Sequence, residues 1–447
     1  MKAALVSILS GIMLCCPGLS PSKAQLIDDT PLVVFSMDDG KHGRELWVTD
    51  GTEEGTRMIF DIRSGPIGSG PSQFVATEDG RAFFTASAGT RRLWITDGTR
   101  GGTHPVTSQP SGAGSVPTNL TYVGNGRVAY SAQTEAHGRE PWISDGTEQG
   151  TFRLVNANPG PASSDPYEFR RLDDRVFMFS ATRNGQQRIW ISDGTTAGTE
   201  MIPGPLRDGY EFTMLDETRV LFAAEHPVRG GQPWIFDLTT RTRPSLLRNL
   251  NSDGSWPYRF TRMGDGSVIF AADHPNRAYE PYVTDGTRAG TSLLRALTSG
   301  GEDTNPTNFT PLNAAATQLV FSTRLNPSAN GADSVWVTDG TRNGTTRLQN
   351  NLSVPGFPNS TWIARLDNRR ALIAATNTRN ANSEGRGRTL WVTDGTSGGT
   401  TEIFRPNGGQ ENFVSELTPL GGGIALFTGY HRNSGFQVYR TDGTEAG

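Results

Sequence analysis

Aspartates that recur in one short motif supply the clearest potential for chemistry in this sequence. Seven copies read Asp-Gly-Thr-x-x-Gly-Thr, as in DGTEEGT, and an eighth, DGTEAG, begins at Asp442. Carboxylate, hydroxyl and carbonyl oxygens are ligands that suit calcium. The calcium candidates are therefore Asp50, Asp97, Asp145, Asp193, Asp285, Asp339 and Asp394. Each motif offers one carboxylate, whereas a strong calcium site usually gathers several, so we favour a structural turn and assign no metal ligand.

The same residue types account for a turn without any metal. Asp-Gly suits a tight hairpin because glycine accepts a positive φ without penalty. The Asp carboxylate can accept a hydrogen bond from the backbone N–H two residues later, and the Thr hydroxyls can act similarly. The second Gly-Thr would then close the loop into the next strand.

Histidine placement is also uneven. Five of the six histidines fall in the loop predicted between the second and third strands of a repeat: His42, His137, His226, His274 and His431. Zinc requires ligands that converge within a few ångströms, and equivalent loops of successive repeats lie farther apart than that. We therefore interpret these histidines as parts of solvated loops, with a ligand-binding rim as the alternative.

No motif stands out as a catalytic signature. The chain has no phosphate-binding loop and no His-Glu-x-x-His, and its Gly-x-Ser-x-Gly string at residues 395–399 is part of a copy of the repeated turn motif, DGTSGGT. Carboxylates and arginines are abundant, so a glycosidase pair of acids or a sialidase-like arginine cluster stays open. No catalytic residue, no cofactor-binding residue and no cofactor is assigned.

The aspartate motif belongs to a longer repeat that begins with an aromatic residue. The nine aromatic positions are Trp47, Trp94, Trp142, Trp190, Trp234, Tyr282, Trp336, Trp391 and Tyr439. They are 44 to 55 residues apart, a period typical of solenoids, propellers and arrays. The copy after Trp234 reads FDLTTRT and has lost the glycines.

One period predicts four short strands. In residues 117–157 the segments PTNLTYV, RVAYSAQ, PWIS and FRLVNA are rich in β-branched and aromatic residues and are separated by turn residues. Leu46 and Val48 flank Trp47, so both faces of the third strand are apolar. A sheet buried on both faces fits a blade between two blades. The aromatic would pack between blades, and a buried indole N–H needs an acceptor.

The fold class predicted is all-β, a β-propeller of four-stranded antiparallel blades. The number of blades is less determined by the pattern. The first unit holds strands two to four and the last holds strands one to three before Gly447. We predict about eight blades, with nine as the alternative.

The N-terminal segment is typical of a secretory signal peptide. Lys2 precedes an apolar run from Ala3 to Cys16, and Ser22-Lys23-Ala24 resembles a cleavage site. We predict a signal peptide over residues 1–24, cleaved near Ala24, and a single propeller domain over residues 25–447 with an incomplete last repeat. The protein would then be secreted, periplasmic or at the cell surface. Both cysteines lie in the signal, so the mature chain would have no disulfide and no thiolate site.

Charge does not point to a particular class of partner. The full chain has 41 Lys and Arg against 45 Asp and Glu, and loss of Lys2 and Lys23 takes the net charge from −4 to about −6. No basic run indicates nucleic acid, and no later apolar run is long enough for a transmembrane span. We expect a monomer whose partner is an unknown protein or polysaccharide.

The repeat resembles that of the ELWxxDGT repeat proteins, a group of exported bacterial proteins. Glu45-Leu46-Trp47, Asp50-Gly51-Thr52 and Gly55-Thr56 match that pattern fully. Most other copies keep the aromatic residue and the Gly-Thr pairs, whereas the copies at Trp234 and Tyr439 depart most. The resemblance covers most of residues 30–447 and implies a propeller-like exported protein with no settled activity. The Asp-box of sialidase-type propellers is a weaker parallel, in which Asp and Gly also support a blade hairpin.

Regular repetition without a singular catalytic signature favours a non-enzymatic function. We predict an exported scaffold that binds a macromolecule or glycan through loops on one face. One alternative is a secreted carbohydrate-active enzyme, of the sialidase, hydrolase or lyase kind, which would require a non-repeating cluster of acids, Tyr or Arg. Another alternative is a structural envelope or matrix protein. Whether the protein is an enzyme stays open at this point, although the pattern favours a protein without activity.

Overall fold

The description rests on a computed structural model of the 447-residue chain. It covers residues 13–14, 32–50, 52–106, 116–297, 304–323, 334–349, 352–354, 362–377, 387–405, 413–431 and 435–447. Cys15, Cys16 and the predicted cleavage site at Ala24 lie outside these residues.

The strands of the described residues form nine antiparallel sheets that follow one another along the chain. In the first four sheets the strands are β1 (Met13–Leu14), β2 (Val33–Asp38), β3 (Arg44–Thr49) and β4 (Arg57–Phe60); β5 (Ser72–Ala76), β6 (Ala82–Ser87), β7 (Arg91–Thr96) and β8 (His104–Pro105); β9 (Thr118–Gly124), β10 (Arg127–Thr134), β11 (Gly138–Ser144) and β12 (Phe152–Arg153); β13 (Tyr167–Arg171), β14 (Phe177–Arg183), β15 (Gln186–Ser192) and β16 (Glu200–Met201). Within each sheet, the strands lie side by side in chain order.

The later sheets repeat this meander with small variations. Their strands are β17 (Arg207–Met214), β18 (Arg219–His226), β19 (Gly230–Asp237) and β20 (Ser245–Leu246); β21 (Tyr258–Arg262), β22 (Val268–His274), β23 (Ala278–Thr284) and β24 (Ser292–Leu293); β25 (Thr307–Pro311), β26 (Leu319–Thr323), β27 (Ser334–Thr338) and β28 (Thr346–Gln349); β29 (Leu352–Ser353), β30 (Ile363–Arg365), β31 (Ala371–Asn377), β32 (Thr389–Thr393) and β33 (Thr401–Phe404); β34 (Val414–Gly421), β35 (Ile424–His431) and β36 (Gly435–Thr441). The eighth sheet has an additional strand, and the ninth has three.

This architecture confirms the predicted fold class, a β-propeller of four-stranded antiparallel blades. The four strands predicted in residues 117–157 are present as β9 to β12. The third strand begins at Gly138 and is longer than predicted, because Gly138 to Glu140 pair with β10 and do not belong to the hairpin loop. The fourth strand is shorter and is limited to Phe152–Arg153.

The structure decides between the two blade counts in favour of nine sheets, and the preferred count of eight was too low. Met13–Leu14 pairs with Val33–Val34 and gives the first sheet its fourth strand. The last motif copy forms a sheet of its own. The strand β1 lies inside the segment predicted as a signal peptide, so cleavage near Ala24 would remove it.

The residues divide into two compact units, residues 1–210 and 211–447. Apolar cores lie between successive sheets within each unit. In the first unit, Val34 and Leu46 of the first sheet pack with Phe84 and Trp94 of the second. In the second unit, Ile269 of the sixth sheet packs with several residues of the seventh. Both faces of these sheets are therefore buried, as the sequence predicted.

The repeated aromatic residue pairs with a second aromatic directly opposite on the neighbouring strand. Trp94 lies opposite Phe84 in the strand register, and their ring centroids are 6.3 Å apart in a stacked arrangement. Trp190 and Phe179 stack in the same way at 6.1 Å. Cross-strand aromatic pairs stabilise a sheet by more than the area that they bury. The motif aromatic is thus part of each sheet's packing.

The buried indoles differ from the sequence prediction. Trp234 donates to the carbonyl of Ala224 at 3.2 Å, and Trp391 donates to Thr389 Oγ1 at 2.8 Å. For five further tryptophans of the motif, no described residue accepts a hydrogen bond from the buried indole nitrogen. They are Trp47, Trp94, Trp142, Trp190 and Trp336. Ring packing takes precedence over hydrogen bonding at these positions.

Candidate functional site

The recurring aspartates each lie in a separate hairpin turn between the third and fourth strands. In every one of the eight described copies, Oδ1 of the Asp accepts a hydrogen bond from the backbone N–H of the Thr two residues later. Those bonds are 2.8 to 2.9 Å long. The hydroxyl of the same Thr also donates to Oδ1. The structure confirms the Asx-turn predicted from the sequence.

The second Gly-Thr of the motif closes the turn. At Gly150 the backbone N–H donates to Thr147 Oγ1, and a Cβ placed on this glycine would lie 2.0 Å from Asp145 Oδ1. Thr151 then donates to the carbonyl of Thr147 at 2.6 Å, and its hydroxyl also lies 2.8 Å from that of Ser144. Only glycine leaves the carboxylate enough room, which explains the second Gly of the motif.

The seven calcium candidates are not brought together by the fold. Asp50, Asp97, Asp145, Asp193, Asp285, Asp339 and Asp394 occupy seven different turns. In the described part of the chain, no three His, Cys, Asp or Glu side chains form a group that could hold a metal ion. Each carboxylate is engaged by its own turn, as the favoured structural interpretation requires.

Three of these carboxylates, Asp50, Asp285 and Asp394, have a pKa that the hydrogen bonds of their turns lower. The side-chain and backbone hydrogen bonds of Thr287 lower the pKa of Asp285, and Thr396 acts in the same way on Asp394. A group with a lowered pKa in the folded state stabilises the fold above its ordinary pKa, and this contribution is lost as the pH falls through the folded value. The turns at Asp285 and Asp394 should therefore weaken in acid.

We expect Asp285→Asn to reduce the acid sensitivity of the fold. Asparagine keeps an oxygen acceptor for Thr287 but cannot titrate, so the variant should lose less stability than the wild type between about pH 6 and about pH 3. The urea midpoint of unfolding at each pH measures this effect. Asp285→Ala is the control, because it also removes the acceptor and should cost about 1 kcal/mol at neutral pH. An unchanged acid response in Asp285→Asn would contradict the assignment.

The histidines lie near the hairpin at the opposite end of the third strand. His42 Nδ1 is 2.7 Å from Asp39 Oδ2. Burial acts to raise the pKa of Asp39, but the hydrogen bonds from His42 and Lys41 outweigh it and lower that pKa to about 2. His137 lies in the hairpin between β10 and β11, whereas His431 ends β35 and its side chain lies outside the described residues.

Two histidines are fixed by local contacts at the end of the second strand. Nδ1 of His226 accepts the backbone N–H of Val228, and its ring stacks on Trp234 at 5.6 Å. His274 accepts from Asn276 and lies 6.3 Å from the ring of Tyr282. Burial lowers the pKa of both histidines. Both histidines therefore support the hairpins next to which they lie.

A buried carboxylate at the same end of the sheet was missed by the sequence analysis. Glu45 is fully buried two residues before Trp47. Its carboxylate accepts hydrogen bonds from the backbone N–H groups of Ile62, Arg63 and Ser69, at 3.1, 3.2 and 2.7 Å, and from the Ser69 hydroxyl at 2.6 Å. Burial raises the pKa of Glu45, and these bonds oppose that rise. One side chain therefore holds both ends of the loop 61–71.

The same arrangement recurs in later repeats. Glu140 accepts from the backbone of Ala157 at 2.7 Å and from the Ser164 hydroxyl at 2.9 Å. Glu280 accepts from Leu297 and from Thr304, at 3.2 and 3.4 Å. Both glutamates are fully buried, and burial raises the pKa of Glu140. We call the side chain at this position the clamp.

In the fifth sheet the clamp is a glutamine. Gln232 Oε1 accepts from the backbone of Leu250 and from the Ser255 hydroxyl, at 3.2 and 3.1 Å. Its Nε2 donates to the carbonyls of Arg229 and Asn251, at 3.1 and 2.7 Å. An amide replaces a carboxylate here because the loop offers both donors and acceptors.

The loops held in this way lead from the fourth strand of one sheet to the first strand of the next. We call them the clamped loops: residues 61–71, 154–166, 247–257 and 294–306, the last described only at 294–297 and 304–306. They lie against the beginning of the third strand, next to the histidine-bearing hairpin. The backbone N–H of Ser69, for example, donates to the carbonyl of Arg44 at 3.1 Å, and Ser164 donates to Arg139 at 2.9 Å.

The sheets that carry both an Asp-Gly-Thr turn and a clamp therefore present two chemically different ends. The end with the Asp-Gly-Thr turns is tied to the following sheet, since Arg81 donates to the carbonyl of Asp145 at 3.0 Å and Arg370 to that of Asp442 at 3.1 Å. The other end carries the clamped loops and the hairpins. The signal for the clamp in the sequence was a Glu or Gln two residues before the aromatic, at Glu45, Glu140, Gln232 and Glu280.

Comparisons with known proteins give structural similarity alone. No protein-family model and no curated protein matches the chain. Puromycin hydrolase aligns with a TM-score of 0.42 and 12% identity, over 89% of this chain and 57% of that one. TolB from Acinetobacter baumannii aligns with a TM-score of 0.35 and 16% identity, over 73% and 77%. The β-propeller domain of the trilobed protease from Pyrococcus furiosus gives 0.38 and 10%, over 73% and 95%. The chain thus spans less than two thirds of the length of puromycin hydrolase, and similarity at this level says nothing about activity.

Proposed function

We propose that this protein is an exported, non-enzymatic β-propeller that binds a glycan or another macromolecule through its clamped loops. The observation that carries the proposal is the buried clamp, which fixes long polar loops at one end of four of the sheets. A loop that is ordered before binding does not have to lose that conformational freedom when a ligand arrives. Binding residues often lie on loops that a rigid scaffold positions.

The contrast between clamp and loop sequence supports binding. The clamp keeps its position in four repeats, but the loops read DIRSGPIGSGP, LVNANPGPASSDP and LRNLNSDGSWP in the three described throughout. A constant support with variable loops is the arrangement expected when the loops select the ligand. The repeated acids support the same view, because those of the turns and the clamps are engaged in hydrogen bonds that hold the fold.

The location follows from the N-terminal pattern. We propose export with cleavage near Ala24, and the resemblance to ELWxxDGT repeat proteins agrees with it. In the described residues, no helix has the length and apolar character needed to cross a bilayer. Sequencing the N-terminus of the exported protein should give Gln25, and retention of Met1 after export would contradict the proposal.

The melting temperature of the exported protein with a panel of ligands tests the binding function. The panel comprises soluble polysaccharides, calcium and a chelator, and a ligand at about 100 times its Kd adds about 2.7 kcal/mol of stability. A rise with a polysaccharide, without release of reducing ends, supports the proposal. Release of reducing ends would replace it by a carbohydrate-active enzyme. A rise with calcium alone would contradict the assignment of the Asp-Gly-Thr turns as purely structural.

If nothing in the panel binds, affinity capture with the wild type and with Glu45→Ala decides whether the loops recruit a protein.

A further inference from the structure

Trp256 is an exposed aromatic residue in a backbone conformation that tryptophan disfavours. It lies in the clamped loop 247–257, retains 41% of its accessible surface and has a φ of 42°. A left-handed backbone is uncommon for bulky residues and costs of the order of 1–3 kcal/mol. Such strain is retained where something else requires the side chain.

The internal repeats show what this position normally holds. Trp256 lies three residues before Arg259, a residue of β21 that also has a positive φ. Four other repeats have a positive φ at the position equivalent to Trp256. These residues are Gly70, Asp165, Asp208 and Asn305. Gly, Asp and Asn tolerate this backbone best. Trp256 departs from that pattern, so the local conformation does not explain the choice of tryptophan.

A second departure from the repeat makes room for the ring. In four other repeats, the residue three positions before the aromatic is an arginine: Arg44, Arg91, Arg139 and Arg388. In the fifth sheet it is Gly231. A Cβ on Gly231 would lie 2.5 Å from Cε3, 2.7 Å from Cδ2 and 3.0 Å from Cζ3 of Trp256. Three adjacent ring atoms at similar distances indicate that one face of the indole covers the glycine backbone.

The support beneath the ring is rigid. The backbone N–H of Trp256 donates to the carbonyl of Gly231 at 3.1 Å, and Ser255 donates to the same carbonyl at 2.7 Å. Oε1 of the clamp Gln232 also accepts a hydrogen bond from the Ser255 hydroxyl. The ring therefore lies on fixed backbone, and its exposed surface is available to a ligand without rearrangement.

The surroundings favour a sugar ring over a protein surface. Ser252 and Asp253 are exposed in the same loop, and Arg229 is exposed in the hairpin that contacts it. In the described residues of the second unit, the one other exposed large apolar side chain is Val228, which lies in the same hairpin as Arg229. A stable protein interface needs a larger apolar centre. A single aromatic face among hydroxyl, carboxylate and guanidinium groups instead matches the alternation of C–H and O–H groups on a pyranose.

We propose that Trp256 is a stacking platform for a neutral pyranose unit of a polysaccharide. The inference rests on the proposed binding function and specifies its ligand class and one contact residue. Gluco- and xylo-configured sugars fit best, because their axial C–H bonds give each ring face apolar character that can lie on the indole. The carboxylate of Asp253 would accept hydrogen bonds from sugar hydroxyls and would repel an acidic sugar.

Calorimetric titration of the exported protein with cellohexaose, xylohexaose and laminarihexaose tests this platform. We expect the wild type to bind at least one of them and Trp256→Ala to weaken that binding at least about tenfold. Trp256→Phe should retain binding within a few-fold, since phenylalanine keeps an aromatic face. Met201→Ala, which truncates an exposed apolar residue of β16 outside the clamped loops, is the matched control and should bind as the wild type does.

A second measurement is independent of the folding of the alanine variant. The hexasaccharide that binds should protect tryptophan fluorescence from acrylamide quenching in the wild type, and this protection should be absent in Trp256→Phe. Equal binding by the wild type and Trp256→Ala would overturn the platform while leaving the binding function intact. Failure of the wild type to bind any of the three hexasaccharides would overturn the platform as well, whereas binding to a protein or to another polysaccharide would still support the proposed function.

Discussion

Replacing Glu45 with alanine should lower the free energy of unfolding by about 3–5 kcal/mol, because the clamp is buried and fully engaged. The substitution leaves the backbone N–H groups of Ile62, Arg63 and Ser69 without their acceptor. Each buried donor that loses its partner costs about 1–3 kcal/mol unless water reaches it. The loop 61–71 should therefore open or admit water.

Hydrogen exchange locates the effect of Glu45→Ala. We expect faster exchange of the amides in residues 61–71, together with a lower urea midpoint, and little change in residues 154–166. Glu45→Gln is the matched control, since an amide keeps one oxygen acceptor but directs an N–H group at donors, so its loss of stability should be intermediate. If Glu45→Ala melts and exchanges like the wild type, the clamp does not hold the loop.

Replacing Gly138 with alanine should cost about 2–5 kcal/mol, since two effects add. Gly138 has a φ of 64°, in the left-handed region. A Cβ there would lie 2.7 Å from the backbone nitrogen of Ser163 and 2.8 Å from the carbonyl oxygen of Pro161. The clamped loop 154–166 would have to move away from the third strand, because backbone atoms cannot rotate aside as a side chain can.

Gly185→Ala separates the two effects on Gly138. Gly185 has a similar φ of 72°, but a Cβ there would meet no atom within 4 Å. We expect its cost to be about 1–2 kcal/mol, from backbone strain alone. The urea midpoints of the two variants give the comparison, and equal midpoints would show that the loop does not lie closely against Gly138.

The repeat made the fold readable from the sequence. Asp-Gly-Thr turns satisfy their own hydrogen bonds within seven residues, so Asp145, Thr147 and Gly150 could be assigned roles without knowledge of any distant contact. The aromatic residue of each repeat likewise identified the third strand, because it stands just before the turn in the sequence. The blade count was harder, because the strand pairing of Met13–Leu14 cannot be recognised in a segment that has the pattern of a signal peptide.

The clamp was missed because its contacts are not local. Glu45 is polar and precedes an apolar strand, which by itself indicates a surface residue. Its partners lie 17 to 24 residues later in a loop without regular structure. The role of Trp256 was missed for a related reason. It depends on Gly231, 25 residues earlier, and the contact between the two residues is visible only in the structure.

The clamp also sets where segments could be exchanged between such proteins. Glu45 belongs to one sheet, but the loop that it holds ends at the first strand of the next. Grafting residues 61–71 alone into a new host would leave a buried carboxylate facing an unmatched backbone. A graft of residues 45–71 transfers the carboxylate with its donors. To change what such a protein binds, the segment to exchange is therefore the second half of one sheet together with the loop that follows it. This segment begins and ends at different points from the repeat that the aromatic residues define.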